Sequence, residues 1–172
     1  YLGENIEGKY PVKKAIDELL INRIVGVASG RAEFGPRALG NRSLLADPTG
    51  KEMKDVVNKI KKRQEFRPFA PVILQSEVHN YFHVDRGFKS PYMQYVVQAK
   101  DPNIYPAIVH ADGSSRVQTV TRDQHPGLWR LLVQYKKHTG IPMLLNTSLN
   151  IKGEPMVNSR LDADKFTEKY HV

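Results

Sequence analysis

Apolar residues recur along this chain with two different periods, and the switches between them mark out the elements. Val12, Ala15, Ile16, Leu19 and Leu20 return at steps of three and four, and Pro11 suits a first turn, which predicts a helix over 11–22. A short β-branched run then predicts a buried strand over 24–28, ending at Ser29-Gly30. Further along, the pattern predicts a short strand over 44–46. It then gives a helix over 51–60 with Met53, Val56, Val57 and Ile60 on one face, a strand over 70–74 and a helical turn over 77–82. Tyr92, Tyr95, Val96 and Val97 give 92–99 the character of a strand. Strands over 106–110 and 116–120 are expected to flank the Asp112-Gly113 turn. A helix over 126–138 carries Leu128, Trp129, Leu131, Leu132 and Tyr135 and stops at Gly140. A buried strand over 142–145 and a helix over 162–170 complete the chain.

This mixture predicts one α/β domain with a mixed sheet. The length agrees: 172 residues fit one domain of the usual 100–200 or so. Strands and helices do not alternate cleanly, and no G-x-G-x-x-G or phosphate-loop motif is present, so a doubly wound dinucleotide fold is disfavoured. An apolar share of 40% suffices for a core. No run reaches eighteen apolar residues, so no membrane span is expected. The absence of cysteine excludes disulfides, thiolate catalysis and cysteine-held zinc, and fits the reducing cytoplasm. No signal or transit segment is visible, and a first residue Tyr1 rather than methionine suits a piece of a longer protein.

Charge changes the picture more. The formal net charge of +8 calls for an anionic partner: nucleic acid, nucleotide, phosphorylated metabolite or acidic membrane. Half of it lies between residues 59 and 67, where Lys59, Lys61, Lys62, Arg63 and Arg67 face Glu65 alone. That run leads into Phe66, Pro68, Phe69 and Pro71, which would restrain a guanidinium.

Four motifs could carry chemistry. The first is Gly30-Arg-Ala-Glu-Phe-Gly-Pro-Arg-Ala-Leu-Gly-Asn-Arg-Ser43. The forked guanidinium groups of Arg31, Arg37 and Arg42 suit phosphate or carboxylate oxygens, and glycines let backbone N–H groups approach an anion. Glu33 could hold one of these arginines in place; anion binding is favoured over a turn stapled by salt bridges, with at least one of the three arginines structural in either case. The second is Lys61-Lys-Arg63 with Arg67-Pro-Phe-Ala-Pro71; in an extended segment Lys61 and Arg63 would point to the same side. The third places Arg116 at the start of a strand just past a turn. The fourth, Asn146-Thr-Ser-Leu-Asn150 with Gly153-Glu-Pro155, puts small polar residues at the end of a buried strand. That suits either a ligand crevice or an Asn/Ser turn bonded to itself. His79 and His83 are spaced to share a helix face but lack a third ligand, so no metal site is expected there. His110 lies close to Asp112 and is a weaker candidate, and His125 is expected at a helix end.

These motifs, in this order and over about residues 26–156, resemble the C-terminal domain of the O-carbamoyltransferases that modify nodulation factors, cephamycins and aminoglycosides. The resemblance implies a YrdC-like (threonylcarbamoyl-AMP synthase) fold, a twisted mixed α/β sheet with flanking helices and a concave basic face. It implies a single domain over 1–172 whose N-terminal ASKHA-like transferase partner, with its metal, lies elsewhere in a longer protein. The implied activity is formation of carbamoyl-adenylate from Mg²⁺-bound ATP and carbamoyl phosphate. The K-x-R and S-x-N signatures of that fold correspond to Lys61-Lys-Arg63 and Ser148-Leu-Asn150. By resemblance Lys61, Arg63 and Arg116 act on the phosphates, and Ser148 and Asn150 bind them. Arg31, Glu33, Arg37, Arg42, Arg67 and Asn146 are the remaining candidates for binding nucleotide or carbamoyl phosphate. An RNA-modifying or RNA-binding relative is the rival, but arginines gathered in glycine-rich motifs favour a small phosphate ligand over nucleic acid. A regulatory domain that keeps the pocket without catalysis is a second rival.

Overall fold

The computed structural model describes residues 4–33, 35, 37–64 and 67–171. Phe34 and Pro36 of the glycine-arginine motif, and Glu65 and Phe66 of the basic run, lie outside the described residues. The elements are β1 (Asn5–Ile6), α1 (Val12–Asn22), β2 (Ile24–Ala28), β3 (Gly30–Arg31), β4 (Arg42–Ala46), α2 (Lys51–Ile60) and β5 (Ala70–Leu74). A short 3₁₀ turn, Gln75–Glu77, leads into α3 (Val78–Tyr81), β6 (Tyr95–Gln98), β7 (Ser114–Val120), α4 (Pro126–Thr139), β8 (Met143–Ser148) and α5 (Arg160–Tyr170).

Six strands form one mixed sheet in the order β2-β4-β8-β5-β7-β6. Every neighbouring pair is antiparallel except β5 and β7. β1 and β3 make a separate two-stranded pair. The core lies on both faces of the sheet, as alternating side chains require. Leu44, Ala46, Ile73, Met143 and Leu145 pack with Met53 and Val57 of α2 and Phe166 of α5. On the other face Leu45, Val72 and Leu144 meet Ala15, Ile16 and Leu19 of α1 and Leu128, Leu131, Leu132 and Tyr135 of α4.

Local signals set the helix ends. Gly140 takes φ 80° and its N–H bonds Lys136 O, closing α4. At the other end of α4, His125 Nδ1 accepts from the Leu128 N–H, and its Nε2 meets Asn41 Oδ1 at 2.8 Å. Ser159 and Asp162 form a capping box on α5.

Two expectations give way. Residues 106–110 form no strand: the Ile108 N–H bonds Tyr105 O, and Ala107 and Ile108 plug the core. The segment is apolar because it is buried, and β7 takes β6 as its antiparallel partner instead. Nor do His79 and His83 share a helix face. α3 ends at Tyr81, Phe82 is extended, and the His83 N–H bonds Gln98 O. Among the described residues no group of three or more His, Cys, Asp or Glu could hold a metal ion, and no helix is long and apolar enough to cross a membrane.

Topology brings several strand ends to one edge. β8 runs antiparallel to β4 and β5, and β7 runs parallel to β5, so the C-terminal end of β8 lies beside the N-terminal ends of β4, β5 and β7. The connection from β2 to β4 crosses this edge, and the chain leaving α2 enters β5 there.

Arg42 secures that edge from within. It is fully buried, and its guanidinium donates to the carbonyls of Glu4, Ser29, Gly30, Asn41 and Asn158 at 2.7–3.3 Å. One side chain therefore joins the N-terminal segment, the β2–β3 junction and the approach to α5. The sequence reading offered Arg42 as a ligand-binding residue; the structure makes it an internal post, because its donors are spent on main-chain oxygens. Arg42→Ala is expected to cost about 3 kcal/mol or more, since several buried carbonyls lose their donor. Arg42→Lys restores little, because a compact ammonium cannot reach five oxygens spread around a planar fork. The midpoint of urea unfolding measures both.

Candidate functional site

The site is built where α2 ends. Lys61 caps the helix in right-handed geometry, and Lys62 takes φ 50°, which turns the chain back on itself. Lys61 and Arg63 therefore converge through a turn, not through the extended strand that their spacing suggested. Both cations stand at a helix C-terminus, where the peptide dipoles favour positive charge.

Lys61 is 5% exposed, and its Nζ lies 2.6–3.1 Å from four oxygens: Ser148 O and Oγ, and Asn150 O and Oδ1. Ser148 Oγ also donates to Asn150 Oδ1 at 2.6 Å, and Asn150 Nδ2 donates to Glu154 O. The Asn/Ser cluster is thus a self-bonded turn that also grips a lysine. Burial, and then the nearby Arg63, push the Lys61 ammonium down to about 7.

Arg63 is held by neutral groups. Its Nε donates to Asn58 Oδ1 at 2.6 Å, its Nη2 donates to Pro68 O, and the guanidinium lies 4.1 Å from the centre of the Phe69 ring. Burial, and then Arg67, hold its acidity at about 10. Arg116 on β7 is shifted downward too, first by burial and then by Arg37, and its buried Nε has no hydrogen-bond partner among the described residues.

Two adjoining cavities collect these groups. One of about 360 Å³ is lined by Lys61, Arg63, Arg67, Ser148, Asn150 and Lys152, among others. The second, about 190 Å³, is lined by Arg37, Ala38, Arg63, Phe69, Arg116, Asn146 and neighbours. They share Arg63 and Ser148, and no carboxylate lines either among the described residues. A larger cavity of about 520 Å³ beside α5 meets them only at Asn150. It mixes Glu154 and Asp162 with Lys165 and Lys169, so it gathers no net charge of one sign.

Of the residues the sequence nominated, Lys61, Arg63, Arg67, Ser148 and Asn150 meet around the first cavity, and Arg37, Arg116 and Asn146 join Arg63 and Ser148 around the second. Three stand apart. Arg31 is exposed on β3 and lines neither cavity. Glu33 pairs with no arginine among the described residues; its Oε1 accepts from the Leu39 and Asn41 N–H groups and pins the loop. Arg42 is the post described above. His110 is exposed and forms part of the turn closed by Ser114. Sequence reasoning missed Asn58, Ala38, Met93 and Gln118. Asn58 had a signal: it is a polar residue beside Met53 and Val57 on the apolar face of α2. Gln118 had one too, between Arg116 and Val120 on a buried strand face.

A phosphate bound there would raise the pKa of Lys61 again, because an anion beside it favours the ammonium. Above pH 7 the free protein has lost part of that charge, so binding takes up a proton and affinity falls as pH rises. Phosphate titrations at pH 8 in two buffers of different ionisation heat are expected to give different apparent enthalpies in the parent chain and equal ones in Lys61→Met. Equal heats in the parent would contradict this assignment.

Comparison with known proteins agrees with the geometry. The carbamoyltransferase C-terminus family matches residues 16–172. The nodulation protein NolO of Bradyrhizobium diazoefficiens is 44% identical over 153 residues, covering 87% of this chain and 28% of that protein. The 3'-hydroxymethylcephem-O-carbamoyltransferase of Amycolatopsis lactamdurans is 42% identical over 146 residues, covering 85% of this chain and 28% of that protein. The chain thus spans about a quarter of the length of these relatives. Among solved structures, full-length HypF in a phosphate- and nucleotide-bound form superposes with a TM-score of 0.60 at 17% identity, over 98% of this chain and 21% of that one. That likeness establishes the shared YrdC-like mixed α/β fold. The match along nearly the whole chain, with the motifs gathered at one sheet edge, makes this a member of the carbamoyltransferase C-terminus family.

Proposed function

We propose that the chain is the adenylate-forming domain of an O-carbamoyltransferase. In this reading it binds ATP and carbamoyl phosphate and makes carbamoyl-adenylate. An N-terminal ASKHA-like domain of the same protein, with its own metal, then passes the carbamoyl group to a hydroxyl acceptor. The observation that carries it is the convergence of Lys61, Arg63 and Arg116 on two joined cavities without a carboxylate among the described lining residues. Such a site is tuned for several phosphate charges at once. Family membership supports the carbamoyl chemistry, and the HypF structure of the same fold was obtained with phosphate and nucleotide. The need for ATP fits a cytoplasmic enzyme.

The chemistry follows from the charges. Hydrolysis of carbamoyl phosphate releases inorganic phosphate and leaves carbamate. A carbamate oxygen attacks the α-phosphorus of ATP, the bond to the bridging oxygen breaks, and pyrophosphate departs with the electron pair. Negative charge grows on the phosphoryl oxygens and the leaving group. Arg63, already fixed, and Arg116 stabilise it directly, and Lys61, whose donors rest on Ser148 and Asn150, adds positive charge beside them. Mg²⁺ enters as part of the ATP complex, on the phosphate oxygens. No protein nucleophile is needed.

Calorimetric titration with Mg²⁺-ATP and with carbamoyl phosphate, followed by a pyrophosphate assay, tests this. Arg63→Ala and Asn150→Ala are expected to weaken nucleotide binding about tenfold or more, the first by removing a charge and the second by loosening the Lys61 clamp. A parent chain that binds no nucleotide, and binds RNA tightly instead, would refute the reading. Binding without pyrophosphate release, in the chain and in the full-length enzyme alike, would make this a regulatory domain.

A further inference from the structure

The smaller cavity carries a donor and an acceptor that no group among the described residues satisfies. Arg116 Nε and Asn146 Oδ1 are both buried and both without a hydrogen-bond partner among the described residues. Asn146 is 2% exposed. Buried polar groups are nearly always paired, so two such orphans lining one cavity point to a ligand.

The orientation of Asn146 is forced. Gln118 Nε2 donates to Leu39 O, which can only accept, so Gln118 must turn its Oε1 toward Asn146. Asn146 Nδ2 then donates to Gln118 Oε1 at 2.7 Å and to Ala38 O at 3.2 Å. Two backbone carbonyls thus fix both amides, and an oxygen, not an N–H group, is left over on Asn146.

The sheet register sets the distance between the orphans. Ala70 pairs with Asn146 across β5 and β8. Arg116 stands two residues up the parallel ladder from Gln118, as Ala70 does from Val72. Arg116, Ala70 and Asn146 therefore form one row on one face, spanning two strand spacings of about 10 Å in total. Ala70 in the middle is small enough to leave a floor under a ligand, and all three line the cavity. At about 190 Å³ it falls below the usual range for drug-sized ligands of roughly 300–1,000 Å³. That size suits a small acyl phosphate better than a nucleoside. Its anionic end would lie against Arg37 and Arg63, which line the same space.

Resting on the reading proposed above, we infer that Asn146 Oδ1, aimed by Gln118, accepts an N–H of the carbamoyl group while Arg116 Nε donates to its carbonyl oxygen. Asn146 is then the residue that tells a carbamoyl group from an acetyl or carboxyl group, and Gln118 is its positioning residue. A carboxamide edge presents one acceptor and one donor side by side, which is the complement of this pair. Acetyl phosphate has the same shape with a methyl group where the NH₂ stands, and would leave the buried oxygen unpaired. Sites built to bond an N–H reject analogues that lack it far more strongly than apolar pockets discriminate by size.

The test compares carbamoyl phosphate with acetyl phosphate by calorimetry on the 172-residue chain. The parent is expected to bind carbamoyl phosphate roughly tenfold or more tightly than acetyl phosphate. Gln118→Leu is expected to shrink that ratio to about threefold or less, through weaker binding of carbamoyl phosphate. A purely structural role for Gln118 would weaken both ligands together and keep the ratio, which would overturn its assignment. Equal affinity of the parent for both ligands would overturn the role of Asn146 while leaving the proposed function intact. Failure of carbamoyl phosphate to bind would overturn both. The parent comparison needs no variant, so it decides the matter even where Gln118→Leu does not fold.

Discussion

The organising constraint of this domain is that several cations must be held close together without neutralising them. Carboxylates would be the simplest anchors for Lys61, Arg63 and Arg116, and they would also cancel the charge that an anionic ligand needs. The structure uses neutral oxygens and a ring face instead. Lys61 rests on Ser148 and Asn150, and Arg63 on Asn58, Pro68 and Phe69. These contacts fix position without supplying a counter-charge, and burial, followed by the neighbouring cations, shifts all three groups downward. Ion pairs do occur in the protein, but none of these involves a cation of the site: Arg23 with Asp47 and Glu52, Lys136 with Glu77, and Lys169 with Glu154.

Holding like charges together costs stability, and the rest of the fold offsets it. Apolar layers lie on both faces of a six-stranded sheet, and the strands that carry site residues, β5, β7 and β8, lie inside it, where pairing on both sides limits their motion. Ser148 and Arg116 project from paired strands, so their placement follows from ladder register. Arg63 and Lys61 follow from a helix end and one left-handed turn at Lys62. The candidate site thus takes its geometry from strand register and a helix end, the kind of support that precise electrostatic placement requires.

Much of this was legible in the sequence, and the failures share a cause. Periodicity located α2 and β5 to the residue, because a buried face imposes its period on the chain. Residues 106–110 defeated it, since an apolar run reports burial and not conformation. The arginines were harder. Arg31, Arg37 and Arg42 look alike in one glycine-rich motif, yet of the two exposed ones only Arg37 lines the site, and Arg42 is entirely internal. Little local distinguishes them, because two of the five carbonyls that claim Arg42 come from Glu4 and Asn158, far away in the chain. Asn58 and Gln118 were readable in principle as polar residues on buried faces, but what they hold depends on tertiary contacts.

The glycine-arginine motif therefore serves two purposes at once, and its spacing explains how. Glu33 draws the N–H groups of Leu39 and Asn41 onto one carboxylate oxygen, and Arg42 ties the end of the same loop into the core. Between those two fastenings, Ala38 and Leu39 present carbonyls to Asn146 and Gln118, and Arg37 faces the smaller cavity. The fastened ends set where those carbonyls stand, and the carbonyls in turn decide which atom of Asn146 is left over. A residue with no access to ligand, such as Arg42, can in this way govern what the cavity accepts. Fold stability and the polar atoms offered to the smaller cavity are here consequences of one loop geometry.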